Sequence, residues 1–126
     1  MITGITDEMI ALEPRFAEIR DEVATRLDGK CIVGHNIRFD TEFLAVHGLT
    51  RSSESDAMSV LSGCEELDTF HLSQILAPTH LSSLSLETLS SHYEIEHTDA
   101  HRAWSDAQAS LLLLDHFARE IESLDE

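Results

Sequence analysis

The sequence predicts an α/β layer structure built mostly from helices. Three observations predict it. Apolar residues recur at spacings of three and four in several stretches, which marks one-sided helices. The run KCIVG (30–34) is short and apolar, as a parallel strand buried on both faces is. Helices alternate with such runs along the chain, and that alternation favours a layered fold over a bundle. The length of 126 residues suits one domain spanning 1–126, with one core.

Each element has its own signal. Residues 1–13 read as a turn and a short helix, with Thr6 as cap and Asp7 and Glu8 at the positive end of the helix dipole. Pro14 fits the first turn of the next helix. There Phe16, Ile19, Val23 and Leu27 share one face, and Asp28-Gly29 ends the helix. After KCIVG, residues 36–47 read as helical, with Gly48 as the stop. The polar, Ser-rich stretch 50–63 reads as a loop. A second strand is expected over Cys64–Leu67. Asp68 or Thr69 then caps a helix to about Ala77, ended by Pro78. Leu84, Leu86, Leu89 and Tyr93 mark a short helix; the loop EIEHTDA follows, and a last helix runs from about Arg102 to Leu124. Two strands make a small sheet with open edges, and an open edge favours pairing with another chain, including a second copy.

Composition narrows the function classes. The apolar fraction of 42% fits a globular protein. No apolar run approaches the ~20 residues that span a bilayer, and the N-terminus lacks a signal sequence, so the cytoplasm is the expected location. Two cysteines make no disulfide framework, and Cys31 is expected to be a buried thiol. The net charge is −16, from 24 acids against 8 Lys and Arg. Broad, non-specific DNA binding needs a basic surplus that is missing here. Gripping one strand end through metal ions and stacked bases does not need it.

Two carboxylates stand in apolar company. Ile37, Asp40, Leu44 and His47 share one helical face, and Phe39, Phe43 and Val46 form a second stripe that reads as core. In the last helix Trp104, Ala107, Leu111, Leu114, Ala118 and Ile121 form one stripe. Ala103, Asp106, Ala109, Ser110 and Leu113 form another, so burial nearly all round is expected. An ionised Asp106 is costly there unless it is paired or binds a cation. Both readings stay open on these residues alone: acids satisfied by Arg38, Arg102 or backbone N–H groups, or oxygen ligands suited to Mg²⁺ or Mn²⁺.

The segment VGHNIRFDTEFL (33–44) resembles the second motif of the DEDDh 3'-5' exonucleases, the family of the DNA polymerase III proofreading subunit. HRAWSDAQAS (101–110) resembles their third motif, a His followed five residues later by an Asp. LDTFHLSQIL, SLSLETLSSHY and the opening ITGITDEMI resemble connecting segments, in family order. The resemblance implies an RNase H-like exonuclease fold, N-terminally truncated, with the first three strands absent. It implies His101 as general base and Asp40 and Asp106 as ligands of a two-metal Mg²⁺ or Mn²⁺ site. It also implies His35, Asn36 and Phe39 as contacts to the terminal nucleotide. For Phe39 the core is the competing role, for Asn36 a helix cap; Asp68 reads as a cap or turn former. Spacings among His92, His97 and His101 read as chance rather than zinc. The family's first motif is Asp-x-Glu, and the sequence holds that pattern only at Asp40-Thr41-Glu42, inside the second motif. The isolated chain is therefore expected to be inactive or weak. The implied partners are the 3' end of single-stranded DNA or RNA and a polymerase subunit, in proofreading or repair. The alternative function is a non-catalytic nucleic-acid-binding or assembly module that keeps the fold.

Overall fold

The computed structural model describes residues 4–49, 64–97 and 102–124. Its elements are α1 (Asp7–Ile10), α2 (Phe16–Leu27), β1 (Cys31–Gly34), α3 (Ile37–Val46), β2 (Glu65–Asp68), α4 (Thr69–Leu76), α5 (Leu86–His92) and α6 (Ala103–Leu124). β1 and β2 pair as a two-stranded parallel sheet among the described residues. The α/β expectation holds, with helices dominating. The expected loop over 50–63 lies outside the described residues. The chain divides into two compact units: 1–32 with 37–66, and 33–36 with 67–126.

The first unit holds α1, α2 and α3. Thr6 caps α1, its hydroxyl oxygen accepting from the Met9 N–H. Of the α2 face foreseen from Phe16, Ile19, Val23 and Leu27, all but Ile19 pack around the buried pair Ala24 and Leu49. Pro14 sits ahead of the helix rather than in its first turn. Arg15 is the extended N-cap, and its N–H donates to Glu18 Oε2 at 2.7 Å, so that bond sets the start one residue later. α3 ends on a tight glycine turn. Gly48 takes φ +98°, its N–H donates to Ala45 O, and the Leu49 N–H donates back to Leu44 O. A left-handed glycine is needed for this pair of bonds. The turn drives Leu49 into the core, fully buried, against Leu44, Ala45 and Ile32.

Two expectations for this unit fail. Cys31 is exposed, because it opens β1 at the outer end of a short strand. The half-buried thiol is Cys64, which donates to Leu27 O at 3.1 Å. On α3 the buried residues are Ile37 and Thr41, so the covered face runs through 37, 41, 44 and 45. Phe39, Phe43 and Val46 point out, 77%, 59% and 84% exposed. The two apolar stripes looked alike in sequence, and among the described residues only one is buried, although the Phe43 ring packs on His47 at 4.6 Å.

The second unit is α4, α5 and α6 with the last residues of β1. Asp68 caps α4, accepting from the Phe70 N–H at 2.9 Å. Ser85 caps α5 through the Thr88 N–H. α6 packs on α4 and α5 and buries Ala109, Ser110, Leu113 and Phe117. Leu89, Leu113 and Phe117 are fully buried, with Leu72, Leu76 and Leu84 around them. Burial of α6 all round does not occur. Its other stripe is exposed, Trp104 at 81% and Leu111 at 58%. A helix covered by two neighbours on one side buries one face only.

Candidate functional site

The second unit brings two of the foreseen residues into one hydrogen-bonded turn. His35 and Asn36 follow β1, at the carboxyl end of a strand, where open α/β sheets bind ligands. Asn36 takes φ +60°, a left-handed conformation that Asn tolerates better than most residues. Its N–H donates to Asp68 Oδ1 at 2.9 Å. Asp68 thus closes two backbone groups at once, those of Asn36 and Phe70. The cap role read from sequence for Asp68 is what the structure shows.

His35 is tied at both ring nitrogens. Nε2 lies 2.8 Å from Leu84 O, and Nδ1 lies 3.0 Å from Thr69 Oγ1. A carbonyl only accepts, so Nε2 carries a hydrogen. Thr69 Oγ1 also lies 3.1 Å from Gly34 O. With a neutral ring the single hydroxyl hydrogen serves either Nδ1 or Gly34 O. With a charged ring, Nδ1–H donates to the hydroxyl, which then donates to Gly34. Phe70 packs edge-on to the ring at 5.5 Å. Burial lowers the pKa of His35; the Leu84 hydrogen bond and the Asp68 charge oppose that.

Asp106 lies in the first turn of α6, where the helix dipole favours a carboxylate. Its Oδ1 is 2.6 Å from His97 Nε2. The His97 side chain is 7% exposed and that of Asp106 is 37% exposed. Further back in the helix, Ser110 donates to the Asp106 carbonyl. The full burial foreseen for Asp106 does not occur, and the pairing foreseen for it is met by an imidazole. His101 lies outside the described residues.

In the first unit Asp40 is exposed on α3, in the same first-turn position that Asp106 holds on α6. Phe39 beside it is exposed rather than core. Arg38, foreseen as a partner for Asp40, bonds Glu42 at 2.7 Å.

Asp40 in the first unit and Asp106 in the second each offer carboxylate oxygens, the donor type that hard cations such as Mg²⁺ take. No group of three or more potential metal ligands occurs among the described residues. The zinc alternative gains nothing: His97 is engaged by Asp106, and His92 packs on Tyr93 and His80. A separate pocket lined by Glu94, Glu96, Asp115, His116 and Arg119 carries three acids, a lining that repels phosphate.

A protein-family model described as "Exonuclease" matches residues 1–114. The chain belongs to this exonuclease family. The DnaQ-like resemblance seen in the two motifs is thereby upheld. Among the curated relatives, a 3'-5' exonuclease DinG of Bacillus subtilis is 33% identical over 98% of this chain and 12% of its own length. A PolC-type DNA polymerase III of Oceanobacillus iheyensis is 35% identical over 90% of this chain and 7% of its own length. A PolC-type enzyme of Halalkalibacterium halodurans is 31% identical over 98% of this chain and 8% of its own length. The chain thus spans a small part of the length of the relatives it matches. No solved structure matches it. No helix among the described residues is long and apolar enough to cross a membrane.

Sequence reasoning missed His97 as the partner of Asp106. The two stand nine positions apart, with His97 ahead of α6, so no helical or strand period links them. It also missed Thr69 and Leu84 as the clamps on His35. Those bonds join positions 34 and 49 residues apart.

Proposed function

We propose that this chain is a 3'-5' exonuclease domain spanning 1–126, which removes terminal nucleotides from single-stranded DNA or RNA in a proofreading or repair setting. The observation that carries the reading is Asp106. It falls in a third-motif match, within a chain 33% identical over nearly its whole length to a relative named 3'-5' exonuclease. The PolC-type relatives support a polymerase partner, and a cytoplasmic location belongs to the same reading.

In this reading Asp40 and Asp106 hold Mg²⁺ or Mn²⁺. The bound ions supply a more acidic water and neutralise charge at the scissile phosphate. The chain's own residues do the rest. His101 accepts the proton of the attacking water, a task suited to a group titrating near neutrality. Asn36 and Phe39 contact the terminal nucleotide, Phe39 by stacking its exposed ring on a base. His35 contributes through the turn it holds and its ring edge. Turnover by this chain alone is slow, because its only Asp-x-Glu lies inside the second motif.

The test is digestion of a 5'-labelled single-stranded oligonucleotide with Mg²⁺ or Mn²⁺, by the chain alone and joined to an Asp-x-Glu strand. Slow stepwise loss from the 3' end is expected, faster for the fusion. In the fusion Asp106→Asn abolishes it, and His101→Ala lowers the rate by about 10²–10⁴-fold. Robust turnover unaffected by Asp106→Asn would overturn the reading. Binding of the oligonucleotide without cleavage, even by the fusion, would favour the second reading, a non-catalytic nucleic-acid-binding or assembly module. The exposed apolar residues of α3 and α6 are the observation that favours it.

A further inference from the structure

We propose that His97 is a positioning residue for Asp106, and that its Nε2–H holds the carboxylate in the orientation that binds a divalent cation. The inference rests on the reading of Asp106 as a metal ligand. It starts from a short bond between a buried imidazole and a half-exposed carboxylate. His97 sits in the irregular stretch after α5 and is almost wholly withdrawn from water. Ordering that stretch and desolvating an imidazole both oppose folding. Among the described residues the arrangement gives a short contact, 2.6 Å, to Asp106 Oδ1.

The geometry of that contact bears on metal binding. An Asp side chain rotates about two bonds, and a metal site needs its oxygens within a narrow range of positions. The α6 backbone fixes where the side chain begins. The His97 bond fixes where one carboxylate oxygen ends. A carboxylate has two oxygens and about four acceptor positions, so one imidazole donor is compatible with a cation on the same group. Ligating carboxylates are commonly held by such outer hydrogen bonds, and losing one weakens metal affinity. The bond also sits on the half-exposed carboxylate, which stays reachable while its partner stays dry.

A merely structural role would tie the stretch after α5 to α6 and leave metal affinity alone. Two isosteres separate the roles. His97→Phe keeps a ring of similar volume and removes the donor. His97→Gln keeps an N–H donor on a flexible stem. The experiment is calorimetric titration of the chain with Mn²⁺, alongside thermal unfolding of each variant by circular dichroism. Asp106→Asn is expected to remove the binding. His97→Phe and His97→Ala are expected to weaken Mn²⁺ binding by about 10–100-fold. His97→Gln is expected to recover most of it, with His97→Phe and His97→Gln melting alike. If His97→Ala does not fold, the Phe and Gln pair decides.

Equal Mn²⁺ affinity in His97→Phe, His97→Gln and the parent chain overturns the positioning role. With binding still lost in Asp106→Asn, that result leaves the reading of Asp106 intact. Mn²⁺ binding unchanged in Asp106→Asn, or no binding by the parent chain, overturns the reading of Asp106 and the proposal together.

Discussion

The two units differ in how firmly they hold their candidate residues. The second unit packs three large side chains to zero exposure, Leu89, Leu113 and Phe117, and α6 runs through that core. Among the described residues the first unit packs one large side chain to zero exposure, Leu49, with Ile37 and Ala24 also buried, and its α3 shows solvent two phenylalanines and a valine. Asp106 and the His35 turn therefore stand on a well-anchored frame with side-chain partners fixed. Asp40 and Phe39 stand on a helix with one narrow buried face. Similar motif letters thus stand on hydrogen-bonded side chains in the second unit and on exposed ones in the first.

The sharpest way to break this comparison is to hollow out each core. Phe117→Ala is expected to cost about 3–5 kcal/mol. The change removes a fully buried ring from the three-helix contact. Its denaturation midpoint should fall further than that of Leu49→Ala, whose neighbours other than Ala24 are only partly buried. Equal losses in urea melts would mean that the two cores are equally consequential.

Next in size is Phe39. Its ring is exposed, so Phe39→Ala should change stability by no more than about 0.5 kcal/mol. If the ring stacks on a base, single-stranded DNA binding should weaken by about 1–3 kcal/mol in fluorescence titrations. A large stability loss with unchanged binding would return Phe39 to a packing role.

A smaller effect tests the His35 turn. Burial holds its folded pKa below the ordinary imidazole value. The unfolded chain then binds the proton more tightly than the folded one. The stabilising effect of a neutral His35 is present above the ordinary value, ~6.5, and is lost as pH falls through the lower folded pKa. Melting temperature should rise with pH across that window, and His35→Gln should flatten this part of the profile. A slope that survives unchanged in His35→Gln would exclude His35 as its source.

The smallest effect concerns Tyr93. Among the described residues nothing hydrogen-bonds its buried hydroxyl. Burial first, and the charge of Glu120 second, push its pKa up. Tyr93→Phe should be neutral or stabilising by up to ~1 kcal/mol, because an unpaired buried polar group costs more than it returns. A clear destabilisation would reveal a hydrogen bond to that hydroxyl.

The sequence by itself determined the element order, the cap at Thr6, a cap at Asp68 or Thr69, the glycine stop at Gly48, and both aspartates worth asking about. Those are local matters: helix periods, turn chemistry and caps act over a few residues. Only the tertiary structure decided which apolar stripe was core. Phe39, Phe43 and Val46 have the same period as a buried face, and α6 offers two such faces. A stripe becomes core only where another element covers it, and no local pattern records that. The partners of the polar groups were equally hidden. His97 meets Asp106, and Thr69 and Leu84 clamp His35, through contacts that exist only once the chain has folded back on itself.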